Sequence, residues 1–294
     1  MQPINFVVVA YKDEIDLLEA QAFSIKNFVQ PDQIKSYTII INRDYNFCLN
    51  LVENIVDSIL FYIKDKVKIV PIDDLTSFDA PSYTLQQVAK LLIARNFSDD
   101  SFYVCLDSKN FFVRPLEAND FFRNGKPTAK IEPLSGGIHL ELNANYSNMF
   151  SIPPLKEGDL VMGIMTPFII HSGIARSLVR SVEERSGKNF SEIFCRDSVQ
   201  SEFMLYSTYL RYKGIDPTEF YADWNNLNIT MWFMNYSSNP DVAAWMKWAK
   251  GLDPAVMAIH RTIIGTLDEQ QYLDYAAFMS SLGLRPVKRL YFES

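Results

Sequence analysis

The sequence is short of several things, and each shortage narrows what the chain can be. Its three cysteines, Cys48, Cys105 and Cys195, lie far apart with no CxxC spacing. That pattern suggests neither a thiolate metal centre nor a disulfide framework, and a reduced cytoplasm is the simplest home. No apolar run approaches the roughly 20 residues of a membrane span. Positive charge is in deficit, with 28 Lys plus Arg against 35 Asp plus Glu and a formal net charge of -7. Nucleic acid is therefore not an expected partner, because phosphate neutralisation supplies most of that affinity. The opening Met1-Gln2-Pro3-Ile4-Asn5 lacks a basic n-region and a small-residue cleavage site, so the Phe6-Val7-Val8-Val9-Ala10 that follows reads as a strand and not a signal peptide. The residues after it, Ala10-Tyr11-Lys12-Asp13, are a poor phosphate loop, which counts against a nucleotidyltransferase.

Apolar residues are plentiful. They make up 48% of the 294 residues, enough for a sizeable core. The aromatic share is 14%, and Arg285, Lys288 and Arg289 sit among Leu284, Leu290, Tyr291 and Phe292. A peripheral contact with the inner face of a membrane would suit those residues; a packed tail segment suits them equally and is the preferred reading.

Strand and helix patterns alternate through the first part of the chain. Ile4 to Ala10, Tyr37 to Asn42, Val67 to Ile72 and Phe102 to Leu106 read as buried strands. Between them, Ile15, Leu18, Ala22 and Ile25 have helical spacing, as do Leu49 to Ile63 and Thr84 to Phe97. Alternation of this kind predicts an α/β fold, a mostly parallel central sheet flanked by helices with right-handed crossovers. From about Pro115 the alternation breaks. Gly136-Gly137-Ile138-His139-Leu140 suggests a tight turn into a short strand, and Thr166 to His171 another strand, with Ser172 as N-cap of the next helix. The division expected is residues 1–115 as a nucleotide-binding half and 116–294 as an acceptor-side α+β region of the same domain.

The most informative stretch is Phe102-Tyr103-Val104-Cys105-Leu106-Asp107-Ser108-Lys109-Asn110. An apolar run that stops at a carboxylate is what a doubly buried strand looks like where its carboxyl end meets a crevice, the place where open α/β sheets bind ligands. Asp107 there could grip a divalent metal, a sugar hydroxyl or a phosphate, or simply cap the next turn. Gln86 and Lys90 share a helix face outside the apolar one formed by Leu85, Val88, Ala89 and Leu92. Lys90 could meet a diphosphate or the Asp107 carboxylate, although a solvated face is the commoner use of such residues. Val199 to Lys213 reads as a helix, with Glu202 in its first turn and Tyr206 and Tyr209 on the same side. Glu202 is either electrostatic trim at a helix start or, if it points into the crevice, a base able to deprotonate a hydroxyl. Trp224 and Met231-Trp232-Phe233 form an aromatic stretch of the kind that stacks on sugar rings or packs a core, and His260 ends the apolar run from Val256.

Taken in order, Val7-Val8-Val9-Ala10-Tyr11, Gln86-Gln87-x-x-Lys90-Leu91, Leu106-Asp107-Ser108-Lys109-Asn110-x-x-x-Arg114-Pro115, Ser201-Glu202-x-x-x-Tyr206 and Ile259-His260-Arg261 resemble a GT-A-type glycosyltransferase. More narrowly, the set is similar to bacterial glycosyltransferases that accompany surface-polysaccharide genes. The resemblance implies a Rossmann-like GT-A fold and transfer of a sugar from a nucleotide-sugar donor to a hydroxyl of a glycan or lipid-linked acceptor, in the cytoplasm or at the inner membrane face. It implies donor contacts from Ala10, Tyr11, Lys12, Gln86, Lys90, Asp107 and Asn110. Acceptor contacts fall to His171, Tyr206 and Trp232, the base role to Glu202, and a Mn²⁺ or Mg²⁺ site to Asp107 and His260. The usual acidic motif is Asp-x-Asp, and its second acidic position is Lys109 here. Two arrangements follow: a metal on Asp107, Asn110 and His260, or a metal-free site in which Lys109, a catalytic candidate, neutralises the leaving diphosphate together with Lys90. The rival from another class is a non-catalytic glycan- or nucleotide-binding protein on the same fold, with Lys109 as the trace of a lost metal site.

Overall fold

The computed structural model describes residues 2–196, 200–224, 227–231 and 242–288. Strands β1 (Ile4–Ala10), β2 (Ile34–Ile41), β3 (Val67–Pro71) and β4 (Phe102–Asp107) alternate with helices α1 (Ile15–Phe28), α2 (Tyr45–Ser58) and α3 (Ser82–Leu92). Further along lie β5 (Asn110–Phe112), β6 (Phe122–Arg123), β7 (Lys126–Ala129), β8 (Ile131–Pro133), β9 (Leu160–Met162), β10 (Phe168–His171), β11 (Ala222–Asp223), β12 (Asn228–Met231) and β13 (Val256–Ile259). The later helices are α4 (Ala118–Phe121), α5 (Ile138–Phe150), α6 (Ser172–Ser186), α7 (Phe190–Phe194), α8 (Glu202–Tyr212), α9 (Pro217–Phe220), α10 (Val242–Gly251), α11 (Arg261–Thr266) and α12 (Glu269–Ser281).

The central sheet has the order β10-β4-β1-β2-β3. β1 pairs in parallel with both β2 and β4, β2 in parallel with β3, and β10 runs antiparallel on the edge of β4. The chain steps outward from β1 to β3 and then returns past β1 to β4, so right-handed crossovers put α1 and α2 on one face and α3 on the other. The reversal between β2 and β4 makes the carboxyl end of β1 the switch point of the sheet. Every residue of β1 is buried, as helices on both faces require.

Three differences from the sequence reading have physical causes. Gly136-Gly137 opens α5 and no strand: Gly137, with φ of +66°, precedes it, and Leu142, Tyr146 and Phe150 recur at helical spacing on its buried side. The helix expected over Leu49 to Ile63 ends at Ser58, and a 3₁₀ segment, Phe61–Lys66, takes the chain into β3. The helix expected to begin at Val199 begins at Glu202, capped by Ser201, whose Oγ accepts a 3.2 Å bond from the Met204 N–H.

Two cores meet across α1. Its Leu18, Ala22 and Ile25 face the main core under the central sheet, whereas Leu17 and Ala20 join Phe111, Met257, Ile259, Met246 and Tyr275 in a second core. That second core fastens the small sheet β12-β13-β5 to the side of α1. β13 runs antiparallel to β5 with Ala258 opposite Asn110, which brings the carboxyl end of β13 back to the turn after β4.

Candidate functional site

The site grows out of the turn between β4 and β5. Buried Gln21 on α1 holds that turn from below: its Nε2 donates to the carbonyls of Asp107 and Asn110, each at 2.8 Å, and its Oε1 accepts from the Tyr37 hydroxyl at 2.6 Å. Asn110 turns inward, its Oδ1 accepting from the Asp107 N–H at 2.7 Å. Ser108 Oγ donates to the Val9 carbonyl at 3.1 Å. These bonds leave the Asp107 side chain projecting from the sheet end in one fixed direction.

Three donors converge on that carboxylate. Lys90 Nζ lies 2.8 Å from Oδ1; Lys109 Nζ lies 2.5 Å from Oδ2, which also accepts from the Thr166 hydroxyl at 2.9 Å. Lys90 also reaches Glu202 Oε1 at 3.0 Å and sits over the Phe203 ring at 5.0 Å from its centroid. With its amide turned to donate, Gln87 meets Glu202 Oε2 at 3.2 Å and the Gln200 carbonyl at 3.0 Å. The chain of charge therefore runs Lys109, Asp107, Lys90, Glu202, tying the end of β4 to α3 and to the first turn of α8. Burial alone would raise the Asp107 carboxyl, but Lys109 and Lys90 outweigh it and hold the group well below the usual carboxylate range. Burial would likewise lower Lys90, and Asp107 and Glu202 reverse the sign and raise it, so its ammonium stays charged inside the protein.

Two further groups border the array. Glu14 Oε1 accepts a 3.0 Å bond from the Tyr11 hydroxyl. Burial raises the Glu14 carboxyl, while nearby Lys109 pulls it down. His260 follows β13 and caps α11, its Nδ1 accepting from the Thr262 N–H at 3.2 Å. Burial lowers the imidazole and the Lys109 charge lowers it further, against a smaller opposing effect of Asp107.

Beside this array, at the carboxyl ends of β1 to β3, lies a cleft of about 810 Å³ lined by Tyr11, Lys12, Asn42, Arg43, Tyr83 and Gln86 among others. Lys12 pairs with Asp44 at 3.3 Å on its wall. Arg43 Nη2 pairs with Asp79 at 2.7 Å and donates to the Ala80 carbonyl, closing one side of the cleft. Tyr83, 69% exposed, lines the cleft and also lies near enough to Glu202, Lys90 and Asp107 to feel their charges.

The structure thus brings together Tyr11, Lys12, Gln86, Lys90, Asp107, Lys109, Glu202 and His260 at one end of the sheet, with buried Ala10 ending β1 beneath them. Two expected contacts, His171 and Tyr206, sit elsewhere, and a third, Asn110, lies in the site with its side chain taken up by the turn. Because β10 is antiparallel, His171 pairs with Phe102 at the far end of β4, the opposite edge from Asp107. Tyr206 is wholly buried, its hydroxyl accepting from the His171 N–H at 3.0 Å and lying 3.1 Å from that of Tyr221. Asn110 spends its side chain on the turn, and is 1% exposed. Trp232 lies outside the described residues. Lys90 is not on a solvated face; it is 3% exposed.

The residues around Asp107 do not fit a divalent cation. A metal there would need carboxylate oxygens that already accept from two ammonium groups and a hydroxyl, and it would face the repulsion of both ammonium charges. Among the described residues, no group of three or more His, Cys, Asp or Glu is placed to hold a metal ion.

Sequence reading gave no site role to Glu14, Gln21 or Thr166, and quoted Gln87 only as part of a motif. Gln21 falls at an a priori apolar position of α1, between Leu18 and Ile25, and a glutamine on the buried stripe is the one local signal that a polar partner waits there.

Among solved structures, the chain is similar to the galactosyltransferase LgtC, determined in complex with donor and acceptor sugar analogs. The two are 13% identical, the match covers 96% of this chain and 98% of that one, and the TM-score is 0.51. The bifunctional glycosyltransferase WbbM matches at 12% identity over 87% of this chain and 45% of that one, with a TM-score of 0.42. The glycosyltransferase GlyE of Streptococcus pneumoniae TIGR4 matches at 10% identity over 88% and 54%, with a TM-score of 0.41. No curated protein sequence matches the chain. The fold is the GT-A glycosyltransferase fold, as in LgtC. By its match to the family model over residues 3–245, the chain belongs to the family described as "Family of unknown function (DUF6492)".

Proposed function

We propose that the protein is a glycosyltransferase that moves a sugar from a nucleotide-activated donor to a hydroxyl of a saccharide acceptor. The observation that carries this reading is the position of the Asp107–Lys90–Glu202 array beside an 810 Å³ cleft at the switch point of the sheet. The cleft is large enough for a nucleotide, and Tyr11 and Tyr83 offer it aromatic surface. The sugar would lie toward Asp107, with its diphosphate near Lys109.

In the reaction, the acceptor oxygen bonds to the anomeric carbon as the bond from that carbon to the diphosphate oxygen breaks. The diphosphate leaves with the electron pair, and Glu202 takes the acceptor proton. Lys90 and Gln87 hold the Glu202 carboxyl in one orientation, through Oε1 and Oε2 respectively. The sequence resemblance supports an acceptor among surface polysaccharides, glycan or lipid-linked.

The test is to incubate the protein with UDP-, GDP- and CDP-activated sugars and to measure nucleotide release and sugar transfer. Release that disappears in Asp107→Ala supports the reading. Glycan affinity with no release from any donor would replace it with the non-catalytic binding protein.

A further inference from the structure

We infer that the ammonium groups of Lys109 and Lys90 take the place of a divalent cation, so that this protein binds a nucleoside diphosphate without any metal. The inference rests on the function proposed above and specifies how its donor is held.

A divalent cation held by two carboxylates forms a locally neutral site that presents a positive centre to an anion. Here the two carboxylates are Asp107 and Glu202, and two ammonium groups supply the same double positive charge. The replacement is built in and does not arise from chance surface pairing. Lys90 is 3% exposed and spans both carboxylates at 2.8 and 3.0 Å. Lys109 reaches the outer oxygen of Asp107 at 2.5 Å, from the sequence position where the usual acidic motif carries its second carboxylate. Thr166 donates to the same oxygen, so both oxygens of the carboxylate already accept from protein donors.

The two lysines have different duties. Lys90, enclosed between Asp107 and Glu202, sets the charge of the site and stays in place. Lys109 has its side chain 13% exposed and ends a flexible stem, so it can turn its donors to an incoming phosphate while remaining beside Asp107. A strongly hydrated ammonium gives a point charge and suits a diphosphate as well as a carboxylate.

The test is calorimetric titration of the whole chain with UDP, GDP and CDP and with the matching nucleosides, first in excess EDTA and then in excess Mn²⁺. One diphosphate should bind with the same dissociation constant in both buffers. Lys109→Gln should weaken that diphosphate about 10- to 100-fold, the usual worth of a hydrogen bond to a charged group, and leave the nucleoside unaffected. Lys109→Asp, which returns a carboxylate to the second position, should lose affinity in EDTA and regain it with Mn²⁺. Diphosphate binding by the unaltered protein that requires Mn²⁺ overturns the inference and leaves the proposed function standing. Failure of every diphosphate to bind in either buffer overturns both.

Discussion

Lys90 and Glu202 meet at 3.0 Å with side chains only 4% and 6% exposed, although they stand on different helices more than a hundred residues apart in sequence. α3 and α8 pack against each other at the carboxyl end of the sheet, and the pair lies at that contact with Asp107 as third member. An ion pair so enclosed adds little net stability over an apolar replacement, but losing one partner leaves the other buried and uncompensated. The array is therefore a device of position and charge more than of stability.

Lys90→Met should destabilise the fold by about 3–5 kcal/mol, because it strands Glu202 and half of the Asp107 interaction. Urea denaturation measures this. The double variant Lys90→Met, Glu202→Leu should recover part of the loss, and a double variant no more stable than the single one would show that no buried pair exists.

Glu202→Gln should lower the rate of sugar transfer by about 10²- to 10⁴-fold, the usual share of a general base. Nucleoside diphosphate affinity should not fall, since Lys109 and the cleft residues are untouched and the site loses no positive charge. Steady-state rates beside titrations separate the two, and full retention of turnover removes Glu202 from the proton-accepting role.

The raised Glu14 carboxyl gives a signed pH prediction. A carboxyl whose folded value lies above its ordinary 4.5 binds its proton more tightly in the folded state. Its stabilising contribution is complete below that ordinary value and is lost as pH rises through the folded one. Stability of the unaltered protein should therefore fall relative to Glu14→Gln as pH increases across that window. Chemical denaturation of both proteins from about pH 4 to pH 8 checks it, and parallel curves would contradict the assignment.

Gln21→Leu should cost about 1–3 kcal/mol for each buried group left without a partner, namely the Tyr37 hydroxyl and the carbonyls of Asp107 and Asn110. It should also weaken diphosphate binding, since it frees the turn that aims Asp107. Thermal unfolding and titration together read both effects, and a loss of stability with unchanged affinity would confine Gln21 to the core.

Hydropathy and its period were enough to read the parallel α/β sheet, because doubly buried strands such as Ile4–Ala10 and Phe102–Asp107 are continuous apolar runs and depend on little else. The same logic marked Asp107, where such a run ends in a carboxylate, and Glu202, where a helix begins, and the structure places both in one charged array. That Lys109 stands where an acidic residue is usual came from the resemblance of the motif and not from hydropathy. Strand direction was beyond it. Phe168-Ile169-Ile170 is apolar whichever way it runs, and only its antiparallel pairing with β4 sends His171 to the end of the sheet away from Asp107. Nor could periodicity tell that Lys90 is enclosed, since a helix face is solvated or buried according to what packs on it, here α8. Sequence set the strands, their ends and the charges available; tertiary structure decided which of those charges meet, because contacts such as Lys90–Glu202 and Gln21–Asp107 join segments that no local rule connects.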